Sequence, residues 1–197
     1  AVLRLAPADG SLVLRPKQDL IAFDLDGCLI VPASGRRFPS ATDATDWRFR
    51  TGAVPRAVRR AAASGARIAI LSNQLGVDTG RTDKAVLQQR VQAVACALSV
   101  PLEALFAVRA DCHCEPRAGM WELRAASPAV SGHVFVGDAA GRPKLPPATD
   151  RADFAASDRE FAINVGAEFK TPEAYFDKSC APVHLCSPKV AMKLGFD

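Results

Sequence analysis

The sequence predicts an α/β fold: a doubly wound, Rossmann-like parallel sheet with helices on both faces. Two short apolar runs, Leu20–Phe23 and Val134–Val136, have the length and composition of buried parallel strands. Such runs alternate with helical segments, of which Lys84–Leu98 is the clearest because its apolar residues recur at helical spacing. Strands that alternate with helices require right-handed crossovers, and these crossovers place the strands parallel in one sheet.

The remaining elements continue the same alternation along the chain. In order, we expect extended segments at Val2–Leu5, Leu12–Leu14, Leu20–Phe23, Arg67–Leu71, Leu105–Val108 and Val134–Val136. We expect helices at Pro55–Ala63, Lys84–Leu98, Gly119–Ala126 and Asp158–Ala162, and a helix start at Thr171–Glu173. Proline at position 55 favours a first helical turn there. The polar segment Pro32–Phe49 is long for a plain connection, so we expect a functional loop or flap.

Composition limits the class of protein. A chain of 197 residues, 49% hydrophobic and 23% charged, can form one domain with a substantial core. No apolar run approaches the length that crosses a bilayer, so we expect no membrane partner. The net charge of +4 and the pI near 8.9 fit an anionic partner such as nucleic acid, although many basic enzymes never bind DNA.

The six cysteines show no CxxC pair and no regular spacing. Cys112, His113 and Cys114 lie together, but adjacent residues rarely converge on one tetrahedral zinc ion without ligands from elsewhere. We therefore prefer reduced thiols in an intracellular protein to a zinc site or a disulfide framework.

Four polar residues follow predicted strands at the edge where ligands bind in such sheets: Asp24, Asp26, Ser72 and Asp138. An isolated Asp-x-Asp-Gly would be best explained as a turn. Three carboxylates converging on one crevice instead call for a cation, and Mg²⁺ prefers such oxygen ligands. Asp24, Asp26 and Asp138 are thus the expected metal ligands. Asp24 could attack phosphorus, Asp26 could act as general acid and base, and Ser72 could hold a phosphoryl oxygen.

The segments that carry these residues resemble motifs of the haloacid dehalogenase superfamily: Phe23–Ile30, Leu71–Gln74 and Val136–Asp138. A further set of segments is similar to the phosphatase domain of the polynucleotide kinase 3'-phosphatase family: Phe38–Pro39, Asp46–Arg48, Ser72–Gly76, Pro116–Trp121, Gly137–Arg142 and Asp153–Ala162. The resemblance covers the chain from about Leu20 to Phe176, and it implies a haloacid dehalogenase-like fold.

The resemblance also implies a function. It implies Mg²⁺-dependent removal of a 3'-phosphate from DNA ends at strand breaks, through an aspartyl-phosphate intermediate. The expected partners are DNA with 3'-phosphate ends and DNA-repair proteins. We expect a monomer. The expected location is the nucleus, with the mitochondrion as the alternative. No Gly-x-x-x-x-Gly-Lys-Ser/Thr loop occurs, so we expect a single 3'-phosphatase domain over residues 1–197 without a kinase domain.

One position departs from the family pattern. Where relatives have Arg-Lys-Pro, with a lysine that contacts the phosphate and the nucleophile, this chain has Cys114-Glu115-Pro116. A glutamate there adds repulsion on the order of several kcal/mol at an effective dielectric near 20. Loss of the cation could slow the reaction roughly 100-fold. Arg117, Arg81 and Lys144 are candidate replacements. Two alternatives stay open: a catalytically impaired domain that binds DNA ends or acts as a scaffold, and a small-molecule phosphatase.

Further residues are candidates for substrate contacts. Arg36, Arg37 and Arg50 could steer the DNA backbone into the site. Trp47 could stack a base or pack its loop, and Asp158 could make an outer metal or water contact or simply favour a helix start. The substrate-binding set that we predict is Asn73, Arg48, Arg81, Arg117 and Arg142.

Overall fold

The computed structural model describes residues 1–5, 19–125, 132–143 and 152–177. Its strands are β1 Val2–Leu5, β2 Leu20–Phe23, β3 Ile30–Val31, β4 Arg48–Phe49, β5 Arg67–Asn73, β6 Leu102–Ala107, β7 His133–Val136 and β8 Glu168–Lys170. Its helices are α1 Ala53–Ala63, α2 Lys84–Leu98, α3 Gly119–Ala125, α4 Ser157–Asn164 and α5 Pro172–Phe176. No helix in these ranges is long and apolar enough to span a bilayer.

Six strands form the main sheet in the order β1-β6-β5-β2-β7-β8. The five neighbouring strands β6, β5, β2, β7 and β8 are mutually parallel, which confirms the predicted doubly wound sheet. β1 runs antiparallel to β6 at the edge, so the sheet is mixed rather than purely parallel. β2 lies between β5 and β7, and Phe23 at its end pairs with Ile70 and Val136. The residue after Phe23 therefore emerges between two neighbouring strand ends.

Apolar residues fill both faces of the sheet. On one face, Phe23 and Ile70 pack with the inner sides of α1, α2 and α5. On the other face, Ala22 and Phe135 pack with α3 and α4. Successive residues of β2 supply opposite faces because side chains alternate along a strand. This arrangement confirms the predicted helices on both faces and buries the central strand between them.

Several boundaries differ from the sequence predictions. α1 begins at Ala53, so Pro55 lies within the first turn rather than opening it. β6 begins at Leu102, three residues earlier than predicted, because Glu103 is buried in the strand and forms an ion pair with Arg4 at 2.6 Å. α4 extends to Asn164. The predicted extended segment Leu12–Leu14 lies outside the described residues.

The predicted flap is built on a short hairpin of β3 and β4, with residues 32–47 forming the loop between them. Asp46 organises this loop by accepting hydrogen bonds from the amide and hydroxyl of Ser34 at 2.7 and 2.9 Å and from the amide of Ser40 at 2.8 Å. Arg90 of α2 donates to the carbonyls of Ser40 and of Asp43, the latter at 2.9 Å. The flap is therefore fastened to α2 by a buried arginine.

Candidate active site

Asp24 lies directly after β2, and its amide donates to the carbonyl of Val136 at 2.9 Å. Its side chain is buried. The chain then turns at Gly27, whose φ of +86° is in the left-handed region that favours glycine. A Cβ at Gly27 would lie 2.4 Å from Oδ2 of Asp138. Only glycine therefore lets the turn after β2 approach the carboxylate that follows β7.

Three carboxylates meet at this edge of the sheet. Oxygen atoms of Asp24, Asp138 and Asp158 all lie within 4.8 Å of one another. Asp158 is held at the start of α4, where its Oδ2 accepts from the amide of Ala139 at 3.0 Å. A Cβ at Gly137 would come within 2.2 Å of that oxygen, so glycine is needed for the approach. The structure thus groups Asp158, rather than Asp26, with Asp24 and Asp138.

Glu115 also faces this cluster. It is 5% exposed, and Asn73 fixes its backbone: Oδ1 of Asn73 accepts from the Glu115 amide at 2.9 Å, and Nδ2 donates to the Glu115 carbonyl at 3.3 Å. The Glu115 carboxyl is hydrogen-bonded to Asp158. Its Oε1 atom is buried with no hydrogen-bond partner among the described residues. Asn73, predicted to bind substrate, is thus placed to position Glu115.

Burial and mutual repulsion raise the pKa values of these acids. The pKa of Asp24 is raised well above its usual range by burial and then by Asp158, Asp138 and Glu115. Burial, followed by repulsion from Asp158, raises the pKa of Glu115 and brings that of Asp138 to about 7. Arg50 opposes the shift at Asp138, but its guanidinium is bonded to the carbonyl of Gly27 at 2.5 Å and to Glu173.

Asp26 lies beside this cluster and has different partners. Its Oδ2 accepts from Nε2 of Gln74 at 2.7 Å, and the same nitrogen lies 3.3 Å from Oγ of Ser72. Its Oδ1 is buried without a hydrogen-bond partner in the described ranges. Burial raises the pKa of Asp26, while the Gln74 hydrogen bond and the charge of Arg90 lower it. One carboxylate oxygen of Asp26 is therefore held by Gln74, and the other has no hydrogen-bond partner in the described ranges.

Sequence reasoning missed the roles of Gln74 and Arg90. Gln74 lies two residues after Ser72 and was included in the motif Leu71–Gln74 without an assigned role. Arg90 lies on the same face of α2 as Leu87, Val91 and Val94, and it is 3% exposed. Both contacts join residues far apart in the chain, and spacing does not reveal such contacts.

The cluster fits a hard divalent cation. Its donors are all carboxylate oxygens, which suit Mg²⁺ rather than a soft metal. A second group of metal-binding residue types lies at the surface: Asp111, Cys112 and His113. Cys114 is buried with its thiol toward the carbonyl of Glu115 at 3.6 Å, so it is not part of that group. Cys180 and Cys186 lie outside the described residues.

The predicted arginines occupy different surroundings. Arg142 donates to both oxygens of Asp153 and to Glu173, and to the carbonyl of Asp138 at 3.3 Å. Arg117 is exposed and donates to the carbonyl of Asp111 at 3.0 Å.

The other candidates differ in exposure. Arg48 and Arg81 are exposed, and Lys144 lies outside the described residues. Trp47 is partly buried, in edge-on contact with Phe49 at 5.4 Å, and packs against the core. The aromatic ring that the flap exposes is Phe38, at 59%, with the guanidinium of Arg37 above it.

Comparison with known families and proteins shows what this chain is similar to. The family model for polynucleotide kinase 3 phosphatase matches residues 19–176. A bifunctional polynucleotide phosphatase/kinase of Schizosaccharomyces pombe is 33% identical over 167 residues, covering 83% of this chain and 38% of the relative. An uncharacterized 20.8 kDa protein of Autographa californica nuclear polyhedrosis virus is 32% identical over 162 residues, covering 79% of this chain and 84% of the viral protein. The polynucleotide 3'-phosphatase ZDP of Arabidopsis thaliana is 24% identical, and the chain spans 24% of its length.

Solved structures show the same fold at lower identity. A protein described as a HAD-like phosphatase from Mesorhizobium loti superposes with a TM-score of 0.64 at 18% identity, covering 84% of this chain and 76% of that one. The D,D-heptose 1,7-bisphosphate phosphatase of B. bronchiseptica, solved with magnesium and phosphate, gives 0.60 at 16% identity, covering 84% and 89%. These likenesses establish a haloacid dehalogenase-like fold.

Proposed function

The chain belongs to the polynucleotide kinase 3 phosphatase family, and on this premise we propose that it removes 3'-phosphates from DNA ends at strand breaks. The observation that carries the proposal is the position of Asp24. It lies at the end of the central strand, grouped with the carboxylates of Asp138 and Asp158 and near that of Asp26. A buried carboxylate with this surrounding is suited to attack phosphorus.

In the proposed reaction, a carboxylate oxygen of Asp24 attacks the phosphorus while the bond from phosphorus to the 3'-oxygen breaks. Asp26 gives its proton to the leaving oxygen, which becomes the 3'-hydroxyl. Asp26 then takes a proton from water as that water attacks the aspartyl phosphate, which releases inorganic phosphate and restores Asp24. Gln74 supports these roles because it orients Asp26 through Oδ2 and leaves Oδ1 for the proton.

We assign the cation of this reaction to Asp24, Asp138 and Asp158. When bound, Mg²⁺ would offset the negative charge of the carboxylates and of the phosphate. The raised pKa values of the acids support this assignment, because a cluster that resists ionisation alone is stabilised by a divalent ion. Asp158 thus becomes a proposed ligand, and Asp26 is kept for proton transfer.

The flap supports a polymeric substrate. It exposes Phe38 together with the basic residues Arg36 and Arg37, and Arg48 is exposed at the base of the hairpin. Aromatic rings stack bases and arginines contact phosphates, so this surface suits the end of a nucleic acid strand. Trp47 packs into the protein, so Phe38 takes the stacking role in this proposal.

The substrate class is tested by comparing three phosphate esters in Mg²⁺: a 3'-phosphorylated oligonucleotide, the same oligonucleotide phosphorylated at its 5' end, and a free sugar phosphate. We expect the 3'-phosphorylated oligonucleotide to be preferred over the free sugar phosphate in kcat/KM by roughly 100-fold or more, because flap contacts contribute only for the polymer. A preference for the sugar phosphate would establish the small-molecule alternative instead.

Glu115 favours a second candidate function, a DNA-end-binding domain with impaired catalysis. Its buried carboxylate adds negative charge beside Asp24, where the resemblance leads one to expect a lysine. This candidate predicts salt-dependent binding of DNA ends without phosphate release in Mg²⁺. Magnesium-dependent release of phosphate would rule it out.

A further inference from the structure

We propose that Glu115 is a ligand of a second divalent cation, which it holds together with Asp158 beside the ion of the Asp24, Asp138 and Asp158 cluster. The inference rests on the proposed function, because it places the second ion in the proposed active site around Asp24. It concerns a residue that distinguishes this chain from its relatives' pattern, and four observations carry it.

The first observation is that Glu115 is held in place as part of the site. Asn73 bonds both its amide and its carbonyl, at 2.9 and 3.3 Å. The carbonyl of the next residue, Pro116, accepts from Nδ2 of Asn164 at 2.8 Å. These bonds tie the segment to the end of β5 and to α4, the elements that carry Ser72 and Asp158. These bonds fix the backbone of Glu115, and so they fix the point from which its buried side chain extends.

The second observation is an unsatisfied atom. Glu115 is 5% exposed, and its Oε1 is buried without a hydrogen-bond partner among the described residues, while the carboxyl group is hydrogen-bonded to Asp158. A buried carboxylate oxygen without a partner is destabilising. A cation between Glu115 and Asp158 would give that oxygen its missing contact.

The third observation is the balance of charge. Four carboxylates face one another: Asp24, Glu115, Asp138 and Asp158. When ionised they carry a formal charge of −4, so one divalent ion leaves −2 before a phosphate dianion enters. Two divalent ions would neutralise the four groups. The bordering arginines are already engaged, Arg50 by Gly27 and Glu173, and Arg142 by Asp153 and Glu173.

The fourth observation concerns what the ion would replace. Glu115 with one divalent ion has a net charge of +1, the charge of a lysine ammonium group. The pair would therefore supply beside Asp24 the positive charge that the family pattern assigns to a lysine. Binding would displace the proton that Glu115 and Asp158 share, and that proton would leave to solvent.

The competing explanation is that Glu115 simply keeps this proton and binds no ion. Counting bound ions separates the two explanations, and Mn²⁺ is a suitable probe because it prefers the same oxygen ligands and is visible by electron paramagnetic resonance. The metal-free full chain is titrated with Mn²⁺ at one fixed pH. We expect two ions per chain, with a spectrum that shows magnetic coupling between them.

Two variants and one control complete the test. Glu115→Gln preserves size and hydrogen bonding but removes the charge, and Glu115→Lys supplies the ammonium group directly. Each should bind one ion without magnetic coupling, and this retained ion also reports that the variant is folded. Glu122→Gln, at an exposed acid of α3, should still bind two.

One ion in the wild type, or two ions in both Glu115 variants, would overturn the inference. Neither result depends on phosphate release. A chain that binds two ions but hydrolyses no 3'-phosphate would contradict the proposed function alone, and a chain that hydrolyses it with one ion would contradict the second site alone.

Discussion

Gln74 gives Asp26 its orientation, and this contact can be tested at the level of one residue. The hydrogen bond at 2.7 Å lowers the pKa of Asp26 against the effect of burial. In Gln74→Ala we expect kcat to fall roughly 10- to 100-fold, because Asp26 loses its fixed position for proton transfer. The limb of the pH–rate profile that reports Asp26 should move to higher pH. Gln92→Ala, at an exposed position of α2, is the control. An unchanged kcat and profile in Gln74→Ala would contradict this role.

Asp138 makes the stability of the metal-free protein depend on pH. Burial and Asp158 raise its pKa from 3.8 to about 7, so the folded state favours the protonated form. The resulting stabilisation is complete below the unfolded pKa and is lost as the pH rises through about 7. We expect the Tm of the metal-free chain to fall between pH 5 and 8, and Mg²⁺ to raise Tm more at pH 8 than at pH 5. A Tm that rises over this range without metal would contradict the account.

At the scale of elements, the flap depends on Asp46. This carboxylate accepts three hydrogen bonds from Ser34 and Ser40, which keep its pKa low. In Asp46→Ala we expect faster proteolytic cleavage within residues 32–47, because the loop loses its internal anchor. Asp78→Ala is the matched control, since Asp78 pairs with Arg109 on a different loop. Equal cleavage rates in the two variants would show that Asp46 does not order the flap.

The same flap carries the predicted contact with the DNA end. Stacking of a base on an aromatic ring contributes about 1–3 kcal/mol, or roughly a 5- to 150-fold effect. In Phe38→Ala we therefore expect a loss of that size in kcat/KM for a 3'-phosphorylated oligonucleotide, with no change for a small aryl phosphate. Phe154→Ala is the control, because Phe154 is equally exposed but lies outside the flap. An equal loss for both substrates would place Phe38 in folding rather than in recognition.

At the scale of the whole molecule, the sheet was predictable because its central strands are apolar runs that end on polar residues. Leu20–Phe23 required no tertiary information. The start of β6 did require tertiary information, because Glu103 interrupts the apolar pattern and forms an ion pair with the distant Arg4. The predicted start of β6 was wrong because the burial of Glu103 depends on a residue elsewhere in the chain.

Some residues of the candidate site could likewise be predicted from the sequence, and others depend on tertiary contacts. The placement of Asp24 and Asp138 at neighbouring strand ends follows from the order of the elements. The approach of Asp158 depends on the missing side chain at Gly137, and the role of Gln74 depends on a bond across 48 positions. Neither can be inferred from local spacing. The inward direction of Glu115 likewise requires the Asn73 contacts.

The central claim is that Asp24 attacks a DNA 3'-phosphate in a magnesium-dependent reaction. The most direct test measures the release of inorganic phosphate from a 3'-phosphorylated oligonucleotide by the full chain and by Asp24→Asn, with Mg²⁺ and with a chelator. We expect release by the wild type in Mg²⁺, and a loss on the order of 10³-fold or more in the variant. Undiminished release by Asp24→Asn, or no release by the wild type in Mg²⁺, would contradict the account.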